Sequence, residues 1–133
     1  MTTEEIVGAH AAELGRILNL VVQVTVQGDR FLIVLRQVQL PRGAYKVSAT
    51  DVLMIAERQY PFAAMDMFWT DLDVVLADSK VPQNADTIEQ YDGRSWRRFS
   101  WHRNNVWNPH RSNPLLDHFT FVEQRWALDL VKR

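Results

Sequence analysis

The chain has 133 residues, 47% of them apolar and 23% charged, which is the size and composition of one globular domain with its own core. A net charge of −1 gives no general attraction to nucleic acid or an anionic membrane, and no run is long enough to span a bilayer. The absence of cysteine excludes disulfides, thiolate metal sites and thioester chemistry.

The first residues, M-T-T-E-E, are acidic and polar; they do not read as a secretory signal, and the cytoplasm is the expected compartment. Residues 3–18 read as a helix. Thr2 and Glu5 have capping-box spacing, and Ile6, Val7, His10, Leu14, Ile17 and Leu18 follow a helical period, against the interruptions of Gly8 and Gly15. Residues 20–27 (L-V-V-Q-V-T-V-Q) and 30–39 read as two strands joined at Gly28-Asp29. After the break at Pro41-Arg42-Gly43, residues 50–57 (T-D-V-L-M-I-A-E) make a third strand. Tyr60-Pro61-Phe62 interrupts the pattern, and residues 65–70 (M-D-M-F-W-T) make a fourth.

Residues 79–93 are polar and punctuated by Pro82 and Gly93, and read as a long exposed loop. Residues 94–109 (R-S-W-R-R-F-S-W-H-R-N-N-V-W-N-P) read as a partly buried loop, pinned by Trp96, Trp101 and Trp107, that presents polar groups. Asn113-Pro114 suits a helix start, with Leu115, Leu116, Phe119, Val122, Trp126 and Ala127 on one face and Lys132 and Arg133 complementing the dipole. The expected fold is α+β, a single domain over 1–133: N-terminal helix, four-stranded antiparallel meander, long loop and C-terminal helix.

Ser100, with His102 two residues on, is the chemical centre to test. A serine hydroxyl is a weak nucleophile that needs a base, and a histidine titrates near neutrality. The same residues also fit a small polar side chain in a packed turn of a domain that binds without chemistry. His102, His110, Asp117 and His118 match no compact ligand spacing, so neither metal nor cofactor is expected. Arginine interleaved with tryptophan could form a single-strand nucleic-acid surface. The neutral balance and the acidic residues before the cluster favour arginine stacked on tryptophan as packing, and no nucleic-acid partner is expected.

The element order and three motifs resemble the ubiquitin-conjugating (UBC) superfamily. Tyr60-Pro61-Phe62 stands where that fold has Tyr-Pro-x-x-Pro-Pro, between its third and fourth strands. Trp107-Asn108-Pro109 stands where it has Trp-Ser-Pro, and residues 65–70 look like its fourth strand. The runs Y-P-F-A-A-M-D-M-F-W-T-D, G-R-S-W-R-R-F-S-W-H and V-W-N-P are similar to the bacterial group called prokaryotic family E, and the likeness covers about residues 3–131. The catalytic cysteine of UBC enzymes precedes the Trp by seven or eight residues; counting back seven from Trp107 gives Ser100. The family's His-Pro-Asn element has no counterpart, and Ala63-Ala64 replace its later Pro pair.

The resemblance implies a protein of a bacterial ubiquitin-like conjugation pathway. Its partners would be a ubiquitin-like protein, an adenylating activating enzyme and a target protein. Ser100 would carry the acyl group as an oxyester and pass it to a target amine, with His102 as base or orienter. Arg97, Arg98 or Arg103 would stabilise the oxyanion or hold the carrier's carboxylate, and Asn104 or Asn105 would replace the missing amide donor. The alternative is an inactive UBC-like module that binds a ubiquitin-like protein or scaffolds an activating enzyme.

Overall fold

A computed structural model describes residues 1–103 and 106–131. Helix α1 (Thr3–Leu18) is followed by strands β1 (Val22–Gln27), β2 (Arg30–Gln39), β3 (Ala49–Glu57) and β4 (Phe68–Thr70), then β5 (Thr87–Tyr91), β6 (Arg94–Phe99) and helix α2 (Pro114–Val131). Lys132 and Arg133, expected to complement the α2 dipole, lie outside the described residues. No helix among the described residues is long and apolar enough to cross a membrane.

Helix α1 starts at a capping box. The Thr2 hydroxyl accepts from the Glu5 N–H at 3.1 Å, and the Glu5 carboxylate accepts from the Thr2 N–H at 3.0 Å. Two otherwise orphaned backbone donors are satisfied this way. Thr2→Ala is expected to cost on the order of 1 kcal/mol, read from the urea midpoint at unchanged m-value. Gly15 has a structural reason: a Cβ there would sit 2.9 Å from the Leu20 carbonyl oxygen, where the chain folds back toward β1.

The sheet is antiparallel, with the order β1-β2-β3-β4-β6-β5. Gly28, at φ 62, takes the first central position of the β1–β2 turn, as a type II′ hairpin requires. A bulge between Leu35 and Val38 puts Gln37 at φ 54, and its N–H donates to Asp51 Oδ1 at 2.9 Å.

The α+β architecture stands as expected, but the sheet has six strands rather than four. Part of the stretch expected to be a long loop, 79–93, is β5, and the first six residues of 94–109 are β6. The two pair as a hairpin from Thr87↔Arg98 to Tyr91↔Arg94. Its turn is Asp92-Gly93, at φ 52 and 78, the double left-handed conformation of a type I′ turn.

Two clusters hold the domain together. Val7, Ala11 and Leu14 of α1, Leu115, Phe119, Val122 and Trp126 of α2, and the inward residues of the strands form the main core. Phe68 and Phe99, paired across β4 and β6, stack at 4.8 Å beneath Trp126. On the other face of the sheet, Leu32, Leu53, Trp69 and Trp96 form a second cluster, with the Arg94 guanidinium 3.8 Å above the Trp96 ring. The residue before β4 and the residue after β6 therefore emerge side by side, and this fixes where the candidate site lies.

Candidate active site

Strand β6 carries arginines on both faces. Arg97 points to the core side and donates to main-chain carbonyls, to Ala85 at 2.7 Å and to Leu72 at 3.0 and 3.2 Å. It staples the chain before β5 and has no donor directed at the site. Burial lowers its pKa. Arg98, on the other face, pairs through Nη1 with Glu89 at 3.0 Å and donates through Nε to the Ser100 hydroxyl at 2.8 Å. Glu89 is held in turn by the Trp69 indole N–H at 2.8 Å.

Ser100 is half-buried, directly after β6. Its N–H donates to the Asn84 carbonyl, and the Trp101 N–H donates to the Phe99 carbonyl, both at 2.9 Å. The second bond closes a three-residue γ-turn with Ser100 at its apex. Both backbone amides nearest the hydroxyl are thus committed. The guanidinium of Arg98 is the donor that contacts Oγ.

His102 does not meet Ser100. Its Nδ1 lies 2.5 Å from Asp66 Oδ2, and the ring is 60% exposed. The other carboxylate oxygen of Asp66 accepts the Arg103 N–H at 2.8 Å. Trp101, between the two site residues, sends its indole N–H to the Gln83 carbonyl at 3.1 Å and takes the Met67 N–H on its own carbonyl at 3.1 Å. The guanidinium of Arg125 lies 4.1 Å over its ring.

Arg103 runs beneath this loop. Its guanidinium lies 5.0 Å over Trp107 and 3.5 Å from His118 Nδ1, and burial lowers its pKa. His118, fully buried on α2, has Nε2 2.7 Å from the Met67 carbonyl. A carbonyl only accepts, so Nε2 carries the proton and Nδ1 is free to accept from Arg103. Burial first, and the Arg103 charge as well, push the His118 pKa down to about 4, so the ring is neutral. Asn104 and Asn105, expected as amide donors, lie outside the described residues.

The two fold motifs meet. The Trp107 indole donates to the Pro61 carbonyl at 2.7 Å, and its ring contacts Tyr60 edge-on at 6.3 Å. The Tyr60–Pro61 peptide bond is cis. The Tyr60 phenol, whose pKa burial raises, lies 2.7 Å from His10 Nδ1 on α1. Past Pro109, Asn113 caps α2 through the Leu115 N–H at 3.1 Å and reaches back to the His10 carbonyl at 3.0 Å.

A cleft of about 500 Å³ opens between this loop and α2, lined by His102, Arg103, Asn108, Arg111, Asp117 and Gln124 among others. Ser100 is outside it. The four residues weighed as metal ligands have separate partners: Asp66 for His102, Phe62 for His110, Arg111 for Asp117 and Met67 for His118. The sequence marks Asp66 and Glu89 only as acidic residues that balance the arginine cluster and gives neither a place in the site. Both act from other strands or their flanks, and the signal that could have placed Glu89 was the Asp92-Gly93 turn.

Comparison with known families agrees with the motifs. The family model for Prokaryotic E2 family E matches residues 16–129. No curated protein and no solved structure matches the chain. The match spans most of the sequence and includes the Tyr60-Pro61 and Trp107-Pro109 elements as well as Ser100. The chain belongs to prokaryotic E2 family E, as a member that lacks cysteine.

Proposed function

We propose that this protein receives a ubiquitin-like protein in a bacterial conjugation pathway, holds it as an oxyester on Ser100 and passes it to a target amine. The observation that carries the reading is the 2.8 Å contact between Arg98 Nε and Ser100 Oγ, on the residue that counting back seven from Trp107 matches to the family's cysteine. A cation touching Oγ lies close to the carbonyl oxygen of any acyl group placed on it. It can therefore stabilise the tetrahedral oxyanion where the backbone amides cannot. In the loading step Oγ attacks the activated C-terminal carbonyl. The Oγ–C bond forms, the bond to the activating enzyme's leaving group breaks, and the serine proton leaves with that group. Arg98, held by Glu89, serves this step; Arg97 keeps the hairpin in place.

With the activating enzyme, ATP and the carrier, wild type is expected to form an adduct that resists thiol reductants and is cleaved by hydroxylamine. Ser100→Ala should lose it, and Ser100→Cys should make it thiol-labile. An adduct that persists in Ser100→Ala, or maps elsewhere, removes Ser100 from this role.

The second reading, a binding module without chemistry, has its own supporting observation. Among the described residues no base is bonded to the Ser100 hydroxyl, and the Nδ1 of His102 is committed to Asp66. It predicts carrier binding by calorimetry with no adduct in any variant.

A further inference from the structure

The Asp66–His102 pair is built, yet it is not turned to the serine. Asp66 is fixed by the Arg103 N–H at one oxygen and holds His102 Nδ1 with the other. A carboxylate only accepts, so Nδ1 carries the proton and the lone pair of a neutral imidazole sits on Nε2. The Nδ1 edge faces Asp66, while the ring is 60% exposed and forms one wall of the cleft against α2. The arrangement has the logic of an oriented base: a carboxylate selects the tautomer and aims the far nitrogen outward.

We propose that His102 is the general base for the incoming target amine, positioned by Asp66, and that it acts on the release step rather than on the serine. This rests on the Ser100 reading. Residues two apart have Cα atoms at most about 7 Å from each other. Ser100 and His102 are not bonded to each other, but an amine attacking an acyl group on Ser100 works beside the neighbouring imidazole. In the step, the amine nitrogen attacks the ester carbonyl and the C–N bond forms. The amine proton passes to His102 Nε2. The C–Oγ bond breaks with Arg98 holding the departing oxygen, and the proton on Nε2 returns to Oγ through solvent. Nothing is oxidised or reduced. The substrate is a primary amine, and this step supplies the base assistance that an ester needs more than a thioester does.

The test takes the preformed adduct, adds free lysine and measures the first-order decay constant, which does not depend on how much adduct was loaded. His102→Gln should slow decay by about 10²-fold, the size of a general-base contribution, and Asp66→Asn by at least roughly tenfold. Added imidazole should restore decay in His102→Ala, which a lost structural contact would not allow. The ¹⁵N spectrum of His102 should show Nδ1–H in wild type and a mixed tautomer in Asp66→Asn. Decay at the wild-type rate in His102→Gln, no rescue by imidazole, or an unchanged tautomer in Asp66→Asn overturns the proposal. So does a His102→Gln protein that cannot be loaded, which would place His102 in the first step. No hydroxylamine-labile adduct in wild type defeats the Ser100 reading itself, an outcome separate from all of these.

Discussion

Asp129→Ala is expected to destabilise the domain by about 3–5 kcal/mol. Asp129 pairs with Arg125 Nη1 at 3.0 Å, one turn earlier on α2, and its other oxygen accepts the Tyr45 phenol. The side chains of Arg125 and Asp129 are only 2% and 5% exposed. Removing the carboxylate leaves a guanidinium in the interior with the Gln83 carbonyl as its remaining hydrogen-bond acceptor among the bonds described. It also strands the Tyr45 hydroxyl, whose pKa burial raises first and the Asp129 contact next. The cost measures an uncompensated buried charge, not the worth of the pair. Arg125→Met with Asp129→Leu should therefore lie within about 2 kcal/mol of wild type. Chemical unfolding of both proteins separates the two cases. A loss below about 1 kcal/mol in Asp129→Ala, the range of a surface pair, would mean that water reaches this part of α2. Because Arg125 also lies over Trp101, the same variant should loosen the loop beside Ser100.

The parts of this fold that were legible in the sequence are those in which neighbouring residues carry the signal. The α1 capping box lies within four residues, and β2 and β3 are strings of apolar and β-branched side chains. The β5–β6 hairpin was missed because Arg94, Arg97 and Arg98 charge both faces of β6, which destroys the apolar alternation that marks a half-buried strand. The structure accommodates those charges through partners distant in sequence: Asp51 and Asp71 for Arg94, Glu89 for Arg98, and the Leu72 and Ala85 carbonyls for Arg97. The Asp92-Gly93 turn between two strand-forming runs was the local clue, and it outweighs the charge pattern.

The site divides along the same line. Ser100 is proposed by counting from Trp107, because the family spacing is local. Arg98 is named among three arginines, but the carboxylates that hold the loop, Asp66 and Glu89, could not be placed. Antiparallel pairing of Phe68 with Phe99, continued past the strand ends, carries Asp66 opposite Trp101, where it reaches His102 and the Arg103 N–H. That register is a property of the whole sheet, and no pattern around residue 66 announces it. No Ser100–His102 bond forms, because each side chain has another partner: Arg98, two residues earlier on β6, for the serine, and Asp66, before β4, for the histidine.

His118 gives the stability a steep dependence on pH between about 6.5 and about 4, the unfolded and folded pKa values of its ring. Above the upper value both states hold the ring neutral, and the fold keeps its full stability. Below it the unfolded chain takes up a proton that the folded chain refuses, so stability falls as pH falls, until the buried ring protonates near the lower value. A shift of this size corresponds to roughly 3 kcal/mol across the window. The refusal is physical: a proton on Nδ1 would bury a second cation against Arg103 and remove the lone pair that accepts from it. His10, whose pKa burial also lowers, adds a loss of the same sign, and Glu123, whose pKa burial raises, adds one of the opposite sign. Both are present in His118→Gln, so the difference between the two proteins isolates the ring. Glutamine can still donate to the Met67 carbonyl and accept from Arg103, but it does not titrate. Urea unfolding at pH 7 and at pH 4.5 should therefore show a clearly smaller loss in His118→Gln than in wild type. Equal losses would mean that the ring is charged in the folded protein, and with it that Arg103 is held beneath the loop by something other than this imidazole.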